Sequence, residues 1–451
     1  MIALRPYQVE AIEKVRDSYR RGHRAPCLVL PTGGGKTIIA AEIIRSAVAL
    51  GNRVLFLAHR VELIEQSVAK LSMSGLHAIR MIRASQDLGV STDPVTVASV
   101  QTLTTKGWMD RLPKADLVVF DEAHHTIAKT WKRIADAYAG ARVLGMTATP
   151  QRADGAALGD IFDDLVVGAT VKQLTALGHL VPCIVMRPPD RLGTGELAQT
   201  PAEAYVRHGR DERAVVFCTT VERAQVVAAE MPVASDVVHG GMSMADRAAV
   251  LARFKAGVTR CVVNVFVLTE GWDDPGCSVC ILERNPAHAG NYLQMIGRVL
   301  RPAPGKTQAT LIDLCGSSWT HGMPDWDRRY SLDGKGIEKP EREPVVQCPA
   351  CGAAFSPGPD CCPQCGAALP RRAATDPTVL GIPLEDAAKQ PPRPMPIISM
   401  ASKFPGRCRA CKQPIAVGDR IHWTQGQKAK HAVCGQADGL EAANALLRAA
   451  Q

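Results

Sequence analysis

Residues 118–125 read VVFDEAHH, an apolar run followed by two carboxylates, an alanine and two histidines. Donors packed this tightly suit a transition metal held by the imidazoles, a magnesium ion held by the aspartate, or solvent at an ordinary strand end. A second stretch bears on the choice. Residues 28–37 read LVLPTGGGKT, where glycines let backbone N–H groups close on phosphate oxygens and a following helix N-terminus favours negative charge. Thr32, Gly33, Gly34 and Gly35 are candidates to cradle a phosphate, Lys36 to reach β and γ phosphates, and Thr37 to offer a hydroxyl to magnesium. The general pattern has glycine six positions before the lysine, where this chain has Leu30, so a plain strand-to-helix turn stays open on this stretch alone.

A phosphate loop gives the carboxylates of VVFDEAHH a use. Asp121 can hold magnesium and Glu122 can polarise an attacking water. Hard Mg2+ prefers these oxygens, and His124 and His125 lack the i, i+4 spacing that sets two imidazoles on one helix face. His124 is expected to couple the nucleotide to a facing lobe, and His125 to pack or meet solvent.

Of fifteen cysteines, seven are scattered before residue 320 and eight crowd between 348 and 434. CPACG at 348–352 and CPQCG at 362–366 are paired CxxC knuckles, each followed by a glycine that permits the turn around sulfur, and they predict tetrahedral structural zinc on Cys348, Cys351, Cys362 and Cys365. Cys361 is a spare. CRAC at 408–411 and HAVC at 431–434 predict a second zinc site on Cys408, Cys411, His431 and Cys434, with His422 as the other candidate. CSVC at 277–280 has the same spacing but no partner pair, and reads as buried thiols.

Positioning these groups takes an alternating fold. CLVLP, VLFLAH, VTVAS, LVVFDEAH and VLGMTATP are apolar on both faces, as strands inside a parallel sheet are, with crossover helices between them. AVVFC, DVVHG, CVVNV, VCILE and ATLID form a second set beyond the proline-rich PCIVMRPPDRLGTG at 182–195, which reads as a connector. The fold class expected is therefore α/β, two tandem parallel-sheet lobes at 1–167 and 168–330. Past about residue 330 the strands are expected to stop. A zinc ribbon at 345–370, a proline-rich linker at 371–400 and a second zinc module with a C-terminal helix at 401–451 complete the reading.

With 46% hydrophobic residues the chain can bury real cores. No stretch is apolar enough to span a membrane and the N-terminus lacks signal-peptide features, so a cytoplasmic protein is expected. The formal charge of +9 has a focus: twelve Lys or Arg stand against six Asp or Glu between 371 and 451. Between Lys403 and Lys430 the second zinc module carries Lys403, Arg407, Arg409, Lys412, Arg420, Lys428 and Lys430 against the single acid Asp419, with Trp423 available to stack. This surface is read as a nucleic-acid contact, the other reading being a protein-docking knob.

PTGGGKT, FLAHRVELIEQ, VASVQTL, DEAHH, GMTATP, TEGWDDP and QMIGRVLRP, in this order, resemble the motif series of superfamily 2 DEAD/DEAH-box helicases over roughly residues 1–330. DEAHH, LVP after the first lobe and the cysteine-rich tail look most like the RadD-like DNA repair helicases, a group similar also to type III restriction translocating subunits. That superfamily commonly replaces the first glycine of the phosphate loop. The resemblance implies two RecA-like lobes, with Gln8 reading adenine, Gly271 and Asp273 touching the ribose and linking ATP to nucleic acid, and Thr147 and Thr149 joining His124 in coupling. It implies that Arg298 and Arg301, three apart on a helix, point across the cleft at the γ-phosphate, with Gln294 on the same nucleotide-facing side. It also implies ATP and Mg2+ as cofactors, and phosphate contacts from HRVEL, SVQTL and CTTVE to one strand. The expected activity is an ATP-dependent DNA helicase or translocase in repair, recombination or replication. It would act on single-stranded or forked DNA without sequence preference, with repair or replication proteins as partners of the tail. A DNA-stimulated clamp or annealing factor that does not unwind, and an RNA helicase, are the alternatives.

Overall fold

The computed structural model describes residues 3–369 apart from 59–60, 83–91, 106, 126–127, 152–156, 189–191, 194, 270, 335–336, 338–344 and 358. In the tail it describes 398–402, 405–408, 411–423, 429–431 and 434. The chain divides into two compact units, Met1–Arg371 and Arg372–Gln451. No described helix is long and apolar enough to cross a membrane.

The first sheet of unit one holds β1 (Pro26–Val29), β2 (Val54–Ala58), β3 (Ile79–Ile82), β4 (Val95–Ser99), β5 (Leu117–Asp121), β6 (Arg142–Thr147) and β7 (Asp164–Val167). They lie in the order β3-β4-β2-β5-β6-β1-β7 and every pairing is parallel. Val54–Ala58 and Val95–Ser99 are buried at all five positions, the signature of strands covered on both faces. The helix Pro6–Arg20 starts where its sequence says it should. Pro6 occupies the first turn, where a missing N–H costs nothing, and the Gln8 amide oxygen accepts from Arg5 N at 2.9 Å.

The second sheet holds β8 (Cys183–Met186), β9 (Ala214–Phe217), β10 (Ser235–His239), β11 (Cys261–Val265), β12 (Val279–Leu282), β13 (Ala309–Asp313), β14 (Val346–Gln347) and β15 (Ala354–Phe355), in the order β10-β11-β9-β12-β13-β8-β15-β14. Two expectations are corrected here. The proline-rich connector contains β8, whose apolar CIVM pairs in parallel with β13. The strands also do not stop at 330. The first pair of cysteine knuckles belongs to this sheet, because β15 runs antiparallel to β8 with Ala354 opposite Val185, and β14 pairs with β15. The reason is packing: Ile184 and Met186 share a small core with Phe355, Ala353, Cys348 and Cys362.

The tail unit contains β16 (Ile398–Ala401), β17 (Gly406–Arg407), β18 (Pro414–Ile415), β19 (Arg420–Trp423) and β20 (Lys430–His431). β16, β19 and β20 form an antiparallel sheet, and β17 pairs with β18. The expected linker therefore ends sooner, at the start of β16. The expected C-terminal helix and residues 371–397 lie outside the described residues.

Candidate nucleotide cleft and cysteine clusters

The loop between β1 and the helix Lys36–Ala49 takes its shape from its glycines. Gly33 and Gly35 sit at φ 86 and 84, where a side chain is strained. Leu30, in place of the usual glycine, is fully buried. Gly34 makes room for it, since a Cβ there would come within 2.7 Å of Leu30 Cγ. Tyr7 Oη donates to Gly34 O at 3.0 Å, and a Cβ at Gly35 would collide with the Gln8 amide. Gln8 thus packs on the loop itself.

The carboxylates stand at the end of β5. Successive side chains on a strand point to opposite faces, yet both Asp121 and Glu122 line one cleft. Glu122 at φ 50 makes this possible, its left-handed turn swinging the second carboxylate round to join the first. Burial, then the neighbouring Glu122 charge, push the Asp121 carboxyl up to about 7, with Lys36 acting the other way. Lys36 Nζ donates to Leu30 O at 3.5 Å and lies 4.0 Å from Glu122 Oε1.

The cleft encloses about 460 Å3 and takes its walls from both lobes. Thr32, Gly33, Gly35, Lys36, Thr37, Asp121 and Glu122 face Gly271, Asp273, Arg298 and Arg301. The lobes meet closely: a Cβ at Gly297 would fall 2.6 Å from Thr32 Cβ, and one at Gly33 would fall 3.2 Å from Arg301 Cγ. Arg5, Lys70 and His179 also line the cleft, and His179 rests against Tyr7 with ring centroids 5.2 Å apart. None of these three was expected. Arg5 adjoins Gln8 in LRPYQ and was within reach of the sequence, whereas Lys70 and His179 carry no local signal.

Behind the cleft runs a chain of hydrogen bonds from one lobe to the other. His124 Nδ1 lies 3.6 Å from Glu122 Oε2 and 3.0 Å from Thr147 Oγ1. Thr147 Oγ1 donates to Thr149 O at 2.9 Å and accepts from Thr149 N at 3.0 Å. From the second lobe Gln294 Nε2 reaches His124 Nε2 at 2.9 Å and donates to Thr149 Oγ1 at 3.3 Å. An imidazole that accepts from Gln294 at Nε2 carries its proton on Nδ1 and donates it to Thr147. His124, Thr147 and Thr149 therefore stand together, as the sequence expected. Gln294 stands with them rather than in the cleft wall.

The expectation that the two arginines stand on one helix is corrected, because the helix Ala289–Gly297 ends before both. Arg298, only 4% exposed, donates through Nε and Nη2 to Thr269 O at 2.9 and 2.6 Å and through Nη1 to Trp272 O at 2.9 Å. Arg301 pairs with Asp273 and donates to Trp272 O at 3.3 Å. Both guanidinium groups hold the loop after β11 while lining the cleft, and the Arg301 side chain packs against Gly33 of the phosphate loop. Cation donors suit carbonyl oxygens that converge, as those of Thr269 and Trp272 do.

Two cysteine clusters could hold zinc. Cys348, Cys351, Cys362 and Cys365 bring their sulfurs within 4.8 Å of one another. Gly352 and Gly366, at φ 76 and 73, complete the two knuckles by donating to Cys348 O and Cys362 O at 2.9 and 2.8 Å. Burial opposes ionisation of Cys348, but the N–H groups of Cys351 and Ala350 and the nearby thiols bring it down to about 7. Cys361 is exposed and bridges to Ala368 instead. In the tail unit Cys408, Cys411 and Cys434 gather within the same span. The side chains of His431 and His422 lie outside the described residues. Cys277 and Cys280 are fully buried, and that burial raises both thiols far above the ordinary range.

Residues 1–152 match the family model for the type III restriction enzyme res subunit, and residues 198–303 match that for the helicase conserved C-terminal domain. A 51.5 kDa protein of a Lactococcus phage is 30% identical over 366 residues, covering 74% of this chain and 76% of the phage protein. A Saccharomyces cerevisiae protein named as the ATP-dependent helicase IRC3 is 27% identical over 70% of this chain, which spans 52% of its length. Among solved structures, a fragment of a type I restriction enzyme HsdR subunit from Vibrio vulnificus superposes with a TM-score of 0.55 at 22% identity. That match covers 74% of this chain and 68% of the fragment.

Proposed function

The chain belongs to the superfamily 2 helicases, with kinship to restriction-enzyme translocating subunits, and on that footing we propose that it is an ATP-driven translocase on DNA. The observation that carries the reading is the cleft walled by both lobes, with the chain of hydrogen bonds behind it. A motor must make hydrolysis in one place move two bodies relative to each other. Here the acid that would activate water touches a histidine whose other nitrogen is held by the opposite lobe.

The residues present fit ATP and magnesium. Gly33 and Gly35 form a cradle that side chains would fill, and Glu122 Oε2 is buried with no hydrogen-bond partner among the described residues. Thr37 and Asp121 would hold magnesium, and Lys36 the terminal phosphates. When bound, Mg2+ neutralises charge that develops on the transferring phosphoryl oxygens. Glu122 orients the attacking water and accepts its proton. Arg301 needs only to exchange Asp273 for a phosphate oxygen to act as the finger of the second lobe. Arg298, buried on three carbonyl contacts, holds the loop that carries Gly271 and Asp273 and so acts through position.

The DNA strand is assigned to one edge of each sheet. HRVEL, SVQTL and CTTVE follow the C-terminal ends of β2, β4 and β9, the edge where open α/β sheets take ligands. Zinc at the two clusters would stabilise the small modules they staple. A role in repair, recombination or replication, and a basic tail module that adds DNA contacts, complete the proposal.

ATP hydrolysis measured against single-stranded, duplex, forked and RNA ligands tests it. Stimulation by DNA above RNA is expected, and equal or greater stimulation by RNA overturns the DNA assignment. Displacement of a triplex-forming strand without displacement of a duplex strand would mark a translocase that does not unwind. Failure in both would leave the clamp or annealing alternative.

A further inference from the structure

β11 is followed by a residue in a backbone conformation that side chains avoid. Phe266 sits at φ 58, which costs a non-glycine residue energy. Burial does not recover it, because Phe266 is 58% exposed. The loop is nonetheless fixed: Asn264 Nδ2 donates to Val216 O at 2.9 Å and Leu268 N donates to Asn264 Oδ1 at 3.2 Å.

Under the ring lies Arg284, two residues past β12, its guanidinium carbon 4.1 Å from the ring centroid. Arg284 is 9% exposed. Its neighbour Glu283 is taken by Arg223, and among the described residues Arg284 has no ion pair and its buried Nε has no hydrogen-bond partner. Burial pushes the guanidinium down to about 10. Buried charges are ordinarily paired, so this cation is placed for an anion that arrives from outside. Its position says which kind. β11 and β12 flank β9 in the sheet, and β9 leads into the CTTVE segment assigned above to the DNA backbone.

We propose that Phe266 and Arg284 form a subsite for one unpaired nucleotide, its base stacked on the open face of the Phe266 ring and its phosphate drawn by the Arg284 guanidinium. The proposal rests on the DNA-translocase reading and adds to it a place where a base is touched. Stacking of this kind tolerates any sequence, since every base has a π face. The same loop continues to Gly271 and Asp273 in the nucleotide cleft, and Arg298 grips it between at Thr269 and Trp272.

Fluorescence anisotropy with labelled oligo-dT and with an abasic oligomer of equal length tests the subsite. Phe266→Ala should weaken oligo-dT binding by roughly 5- to 150-fold, the range for removal of one stack, and Phe266→Trp should retain binding. The abasic oligomer should bind the parent and Phe266→Ala alike. Arg284→Gln should weaken both ligands and flatten the slope of log affinity against log salt by about 0.7, one single-strand phosphate. Because Arg284 is buried and that variant can misfold, Phe266→Gly is the control. Glycine is at ease at φ 58, so this variant should melt no lower than the parent and still bind oligo-dT as weakly as Phe266→Ala. Parent-like oligo-dT binding by Phe266→Ala and Phe266→Gly would overturn the subsite, as would a lowered melting temperature for Phe266→Gly. A parent chain that binds no DNA would instead overturn the translocase reading beneath it.

Discussion

Replacing Gln294 by alanine removes an amide that bridges His124 and Thr149 from the opposite lobe. His124 is 7% exposed, and taking a hydrogen-bond partner from so buried a ring costs about 1–3 kcal/mol. Neither lobe bears that cost alone, because the partners sit on different sheets. It falls on the closed apposition of the lobes, whose population should drop about 5- to 150-fold at one factor of ten per 1.4 kcal/mol. DNA-stimulated ATP turnover should fall by the same factor. Affinity for a non-hydrolysable ATP analogue should change little, since the phosphate loop and both carboxylates belong to the first lobe. The assay is steady-state hydrolysis at saturating DNA beside an equilibrium titration of the analogue. A cycle with His124→Ala sharpens it: residues in one hydrogen-bond network are non-additive by about 0.5–3 kcal/mol. Additive losses in turnover, or a loss of affinity as large as the loss of turnover, would refute coupling between the lobes through this amide.

Glu122→Gln should keep analogue binding while slowing turnover by roughly 10² to 10⁴, the size of a missing general base; near-normal hydrolysis would remove Glu122 from the mechanism. Gly297→Ala places a carbon 2.6 Å from Thr32 Cβ, so it should separate the lobes and depress DNA-stimulated hydrolysis while β13 and its neighbours stay folded by circular dichroism. Cys362→Ser should lower bound zinc by about one atom per chain in elemental analysis and reduce the thermal stability of the second sheet, because Cys362 shares a core with Ile184 and Met186. Deleting residues 397–451 should raise the DNA concentration for half-stimulation and flatten the salt slope by about one unit for each phosphate that the tail no longer neutralises, with an unchanged slope and unchanged DNA demand pointing to protein docking instead.

What the sequence revealed about the site followed chain distance. The phosphate loop, Asp121 and Glu122 lie within single strand-to-loop segments, where spacing alone sets geometry. His124 and Gln294 are 170 residues apart, and their hydrogen bond exists only once two lobes have closed. The resemblance placed Gln294 on the nucleotide side, but the same helix face also meets His124, and periodicity cannot choose between them. Arg298 and Arg301 show a related limit: their spacing suggested one helix face, but the helix ends at Gly297, and the carbonyls of Thr269 and Trp272 that hold them have no sequence signature. β8 was hidden by the prolines around it, and β14 and β15 are two residues each, too short to show alternation. The strain at Glu122 and Phe266 was equally unreadable, since neither residue type announces a positive φ.

The pairing of β15 with β8 bears on how the protein would fail. Without it β8 would end the sheet, and an uncovered CIVM edge is an open template for another chain. Whatever melts the cysteine ribbon, whether a chelator, an oxidant or a broken knuckle, unmasks that edge. The expected outcome is self-association that grows with protein concentration and resists reversal, well before the ATP cleft itself unfolds. The ribbon is then a guard against aggregation, and colloidal stability rather than catalysis would be the first property to suffer from its loss.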